Sequence, residues 1–147
     1  EITRQLCRDE RFISPKTYCT KQSEKHHYLT EEEFKKQKFF EQTMYAGVKY
    51  GTKKEDIQGV LDEGKFVVMP LDMCGAIAMK RHFPTVIIYI AKDKEEMIAD
   101  IVQSDFSVEE KTLRILSLDA EKRNREICDV TADNRDGKGM ERIVNLL

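Results

Sequence analysis

Two uninterrupted apolar runs, Phe66-Val67-Val68-Met69 and Val86-Ile87-Ile88-Tyr89-Ile90-Ala91, most constrain what this chain can fold into. Runs this short, with no polar alternation, suit strands buried on both faces of a parallel sheet, and they predict strands over 65–72 and 85–91. The stretch between them, Gly75 to His82, reads as a helix. Strand, helix, strand in that order is the unit of an open α/β sheet with right-handed crossovers, whose ligands sit beyond the carboxyl ends of the strands.

The flanking segments extend the alternation. Ile2 and Leu6 lie one helical turn apart, predicting a helix over residues 1–10 that stops before Phe12-Ile13-Ser14-Pro15, because proline pushes Ser14 out of helical geometry. An irregular polar stretch is expected to about residue 29. Thr30-Glu31-Glu32-Glu33 is a capping-box pattern that opens a short helix through Phe34, and a strand is expected to begin at Phe39-Phe40-Glu41. Ile57, Val60 and Leu61 recur at helical spacing, with Gly64 placed to end that helix in a left-handed conformation. Met97, Ile98 and Ile101 share one face of a helix over 95–102. Ser107-Val108-Glu109-Glu110 caps a longer helix to about Glu126, followed by a strand over 127–132 and a helix over 140–147.

At 147 residues and 40% hydrophobic composition, the chain is long enough for one core and short for two, so a single domain over 1–147 is expected. Lys plus Arg number 25 against 27 Asp plus Glu, so no overall field recruits nucleic acid or anionic membrane, and an anionic ligand would need a local site. No apolar run approaches the roughly 20 residues a bilayer crossing requires. Cys7, Cys19, Cys74 and Cys128 are dispersed with no Cys-x-x-Cys pair, which reads as reduced thiols, buried or inert, in a cytoplasmic protein.

The most specific local signal is Phe39-Phe40-Glu41, then Gly47, then Tyr50-Gly51-Thr52. It resembles the guanylate-kinase motif F-L-E…G-x-x-Y-G-T with its spacing intact. Leu71-Asp72-Met73-Cys74-Gly75-Ala76 is similar to that family's I-D-x-Q-G-A segment, with Cys74 in place of the glutamine and Pro70 where a second acid is common. Arg114, Glu121, Asp129 and Asn134 reproduce the spacing of its C-terminal pattern R-L-x-x-A-x-x-E…Y-D-x-x-x-x-N-D, so the resemblance runs from about residue 30 to the end.

The resemblance implies a P-loop nucleoside-monophosphate-kinase-like fold, with a GMP-binding region over about 14–55 and a lid over about 95–115. It also implies roles. Glu41 would read the guanine edge, Tyr50 and Thr52 of Tyr50-Gly51-Thr52 would meet phosphate and base, and Asp72 and Ser14 would lie beside the nucleotide. Arg114 would be catalytic, holding the phosphates in transfer. A carboxylate accepting two parallel donors suits the adjacent N–H groups of guanine, and an unpaired buried acceptor penalises the wrong base. Read alone, each residue has a plainer role: Glu41 a solvated strand residue, Tyr50-Gly51 a turn, Asp72 a helix N-cap, Arg114 a solvated helix arginine.

Departures from the family pattern are as informative. No G-x-x-G-x-G-K-[ST] loop for ATP phosphates occurs, and the alignment places Glu1 at the end of where that loop would lie, implying that the first strand and P-loop precede it in a longer protein. Ala99 and Gln103 stand where lid charges are expected. The GMP-phosphate grip T-T-R-x-x-R…G-E…Y-x-F is shortened to residues 14–28, with Lys16 or Lys21 in place of arginine and His26 in place of tyrosine. Lysine is a poorer bidentate clamp, which predicts weak GMP affinity or an altered ligand. The pair His26-His27, without nearby Cys or acidic ligands, reads as loop surface rather than a metal site.

Two functions follow from the resemblance. One is MgATP-dependent phosphorylation of GMP to GDP by the complete protein, with this chain as the acceptor-binding part. The other is a non-catalytic guanylate-kinase-like module that binds phosphorylated or acidic peptides.

Overall fold

The computed structural model describes residues 2–45, 47–134 and 138–144. Glu1, residues 145–147 of the last expected helix, and the side chain of Glu121 lie outside the described residues. The chain divides into two compact units, Glu1–Pro84 and Thr85–Leu147.

The first unit opens with α1 (Ile2–Leu6), shorter than the helix expected over 1–10. Asp9 explains the early stop. Its carboxylate accepts from the backbone N–H of Arg11 at 3.0 Å and from the Arg11 guanidinium at 2.7–3.1 Å, a local alternative to the helical ladder. Those bonds hold the Asp9 carboxyl down at about 2. The chain then enters β1 (Phe12–Ile13), which pairs in parallel with β6 (Phe66–Val67). The run over 65–72 thus supplies two strand residues, and Phe66 is 54% exposed rather than buried, its ring stacked on Phe12. Burial on both faces fails here because β6 has one strand neighbour among the described residues.

The stretch expected to be irregular contains β2 (Tyr18–Cys19) and β3 (His27–Tyr28), which join β4 (Glu41–Tyr45) and β5 (Val48–Thr52) in a four-stranded sheet of order β3-β2-β5-β4. The β4–β5 pair is an antiparallel hairpin whose turn uses Gly47 at φ 77°, where a side chain would be strained. Before it, α2 (Glu31–Lys36) carries the full capping box: the Thr30 hydroxyl accepts from the Glu33 N–H at 3.2 Å, and Glu33 accepts from the Thr30 N–H at 2.8 Å. After it, α3 (Lys54–Asp62) ends at Gly64 (φ 74°), and α4 (Met73–His82) begins at Asp72. Ile57 of α3 and Met79 of α4 pack with Phe83 into a core to which Phe40, Leu61, Val67, Met69 and Leu71 contribute.

The second unit holds β7 (Ile88–Ala91), α5 (Lys94–Gln103), α6 (Val108–Arg123) and a short 3-10 helix (Asn124–Ile127), then β8 (Val130–Asp133) and α7 (Gly139–Val144). β7 and β8 pair in parallel. Here too the strand is shorter than the apolar run, and Val86 is 59% exposed. Ile87, Leu118, Ala132 and Ile143 are buried.

Candidate functional site

The site is built on the β4–β5 hairpin. Directly paired residues of an antiparallel ladder point to the same face, so the register Glu41↔Thr52 and Thr43↔Tyr50 puts four polar side chains on one face. Gly51 faces the other way. A Cβ there would sit 2.6 Å from the Phe39 ring, which packs between Phe34 (centroids 4.6 Å apart) and Tyr18 (5.6 Å). Tyr50-Gly51-Thr52 is therefore two-sided: hydroxyls toward the site, a bare backbone toward an aromatic layer.

Glu41 is 8% exposed and Thr52 3%, and the Thr52 hydroxyl donates to Glu41 Oε2 at 3.0 Å. Burial raises the Glu41 pKa above the ordinary glutamate range. The Thr52 bond pulls it back, and the nearby negative Asp72 adds to the rise. The second oxygen, Oε1, faces Gly75: a Cβ on that glycine would lie 3.2 Å from it.

Asp72 is both an N-cap and part of this cluster. Its Oδ1 accepts from the Gly75 N–H at 2.8 Å, capping α4, and its Oδ2 accepts from the Thr43 hydroxyl at 2.9 Å. The sheet's carboxyl edge positions it, five residues beyond the end of β6, while Ser14 is exposed immediately after β1. Tyr50 stands edge-on to His26, with ring centroids 5.3 Å apart. His26 is not simple loop surface: it is half-buried, its Nδ1 lies 2.7 Å from the Thr17 hydroxyl, and burial, with Lys25 second, holds its pKa below the usual imidazole range.

Of the residues singled out by sequence, Glu41, Thr52 and Asp72 come together around one carboxylate, and Tyr50 shares their face. Arg114 belongs to the second unit, where its guanidinium pairs with Glu110 at 3.0 Å and lies over the Phe106 ring at 4.2 Å. Ala99 and Gln103 are exposed on α5. Asp129 and Asn134 have local roles: Asp129 Oδ2 accepts from the Ile87 N–H and Asn134 Oδ1 from the Gly139 N–H, each at 2.8 Å. The thiols, expected to be buried or inert, differ in setting, with Cys19 buried and donating to the Lys21 carbonyl at 2.8 Å, and Cys74 exposed on α4. Sequence reasoning missed Thr43, although its place two residues after Glu41 in a strand puts it on the same face.

A guanylate kinase family model matches residues 9–139. This chain belongs to the guanylate kinase family. Among relatives, it is 34% identical to a guanylate kinase of Chlamydia trachomatis serovar D over 73 residues, covering 47% of this chain and 36% of that protein. It is 41% identical to one of Clostridium perfringens strain SM101 over 59 residues, covering 37% and 27%. The matched segments thus span about a third of these guanylate kinases. The crystal structure of guanylate kinase from Anaplasma phagocytophilum superposes with a TM-score of 0.77 at 19% identity, covering 99% of this chain and 78% of that one. The architecture is accordingly the α/β fold of guanylate kinases, a P-loop-kinase-like fold. Among the described residues no helix is long and apolar enough to cross a membrane.

Proposed function

We propose that this chain is the GMP-binding part of a guanylate kinase that, complete, phosphorylates GMP to GDP with MgATP in the cytoplasm. The observation that carries the reading is the buried Glu41 carboxylate, with Oε2 held by Thr52 and Oε1 directed toward Gly75 at the start of α4, beside Asp72. Guanine presents two adjacent N–H donors to such an acceptor, whereas adenine would set a ring-nitrogen lone pair against it, leaving a buried acceptor unpaired. Tyr50, on the same face, and Ser14, beyond β1, are the remaining nucleotide contacts of this reading.

No glycine-rich loop for ATP phosphates occurs in the sequence of this chain, so the reading gives it no residues for the donor nucleotide's phosphate cradle. The reading assigns GMP binding to about residues 14–55 of this chain and the ATP phosphate loop to the complete protein. Arg114 is its candidate for holding the phosphates in transfer.

A second reading, a module that binds phosphorylated or acidic peptides, is favoured by Lys16 and Lys21 in the phosphate grip and by Ala99 and Gln103 in the lid. Calorimetric titration of the folded chain with GMP, AMP and an acidic phosphopeptide separates the two. Selective GMP binding supports the kinase lineage. Binding of the phosphopeptide without GMP overturns it in favour of the module.

A further inference from the structure

Asp72 and Glu41 come from different elements, one capping α4 and one opening β4, yet two carboxylates side by side must be held in a fixed mutual orientation to serve one ligand. The capping bond from the Gly75 N–H restrains only Asp72 Oδ1. Rotation about the terminal torsion of an aspartate is soft, so a single bond leaves the carboxylate plane free to swing. The Thr43 hydroxyl, donating to Oδ2 at 2.9 Å from 29 residues away, removes that freedom. Thr43 is itself stiff, being β-branched, and it sits on the same strand and face as Glu41. Strand β4 thus sets both acids: Glu41 directly and Asp72 through Thr43.

The two donors also reach both ends of the group: an N–H on one oxygen and a hydroxyl on the other hold the Asp72 carboxylate in one orientation beside Glu41.

We propose that Thr43 is a positioning residue that locks the Asp72 carboxylate beside Glu41 and thereby sharpens discrimination for the guanine ring. This rests on the GMP-binding reading above. Thr43 is only half-buried, so the near-isosteric Thr43→Val keeps the fold while deleting the donor.

The test is calorimetric titration of wild type, Thr43→Val and Thr43→Ser with GMP, IMP, which lacks the 2-amino group, and AMP, with a thermal melt of each. Thr43→Val is expected to weaken GMP about tenfold and to narrow the GMP-to-IMP ratio, with Thr43→Ser within about twofold of wild type and the melts nearly superimposed. Unchanged GMP affinity and selectivity in Thr43→Val overturns the role of Thr43 while leaving the GMP reading intact. So does equal weakening by Val and Ser, or a loss that follows the melting midpoint with the ratio unchanged. Failure of the folded wild type to bind GMP overturns both.

Discussion

Glu41 and Thr52 face each other across the β4–β5 ladder, and the hydroxyl of one satisfies an oxygen of the other in a site nearly closed to water. The bond leaves Glu41 Oε1 facing Gly75, the oxygen to which the proposed reading assigns base discrimination. Glu41→Gln keeps the Thr52 contact but turns an acceptor into an N–H2 donor facing the guanine donors. GMP affinity should fall tenfold or more, by about 1.5–3 kcal/mol, as read by calorimetry. Stability at pH 7 should rise, because a buried charge disappears, and a denaturant melt checks the direction.

The same group should give opposite pH dependences for folding and for binding. Folding raises the Glu41 pKa, chiefly through burial, so its stabilising contribution is fully present below the unfolded value, about 4.3, and is lost as pH rises through the higher folded value. Guanine recognition needs the ionised form. GMP affinity should therefore drop on acidification, starting at a pH above the ordinary glutamate range, and Glu41→Gln should flatten that profile. A wild-type affinity that falls on acidification no sooner than that of Glu41→Gln would contradict the assignment.

Gly51 has no room for a side chain. With a Cβ placed 2.6 Å from ring carbons of Phe39, Gly51→Ala should destabilise the fold by about 1–3 kcal/mol. Because the obstruction is one side chain, the background Phe39→Leu should recover part of the loss, and a double-mutant cycle by thermal melt measures the coupling.

Gly75→Ala tests the other wall of the site. The added methyl would lie 3.2 Å from Glu41 Oε1 and 3.4 Å from Asp72 Oδ1, crowding the acceptor pair. Helix propensity favours alanine by about 0.5–1 kcal/mol, so the melting temperature should hold while GMP affinity falls.

Arg114 is tested in the complete protein with MgATP. Arg114→Lys retains charge but loses the planar fork, and kcat should fall at least about tenfold with GMP affinity unchanged. Equal kcat would reduce Arg114 to its bond with Glu110 and its stacking on Phe106.

Local chemistry was legible in the sequence wherever a few adjacent residues decide the outcome. The Thr30 capping box, the Gly64 terminus and the Asp72 cap all form as their spacing implies, since each is settled within one helical turn. Asp9 escaped notice because a side chain competing for backbone N–H groups leaves no periodic signal, and α1 ends early as a result. The strands over 66–67 and 88–91 are shorter than their apolar runs because strand length depends on partners that a run cannot reveal. Glu41, Thr52 and Asp72 stand out through motif spacing, whereas Thr43 carries no motif and meets Asp72 only through a bond across 29 residues. The partners of Arg114 were equally invisible, although Glu110 stands one turn before it.

The packing of Phe39 against the bare backbone of Gly51 divides the family motif into two independent pairs. Phenylalanine and glycine form a mechanical joint, while glutamate and threonine on the reverse side form the hydrogen-bonded head that the proposed reading assigns to the base. A descendant chain could exchange the second pair for other chemistry and keep the hairpin intact, because nothing in the joint depends on what the head recognises. Retained Phe and Gly therefore testify to ancestry, and the polar face opposite them is where a change of ligand would be written.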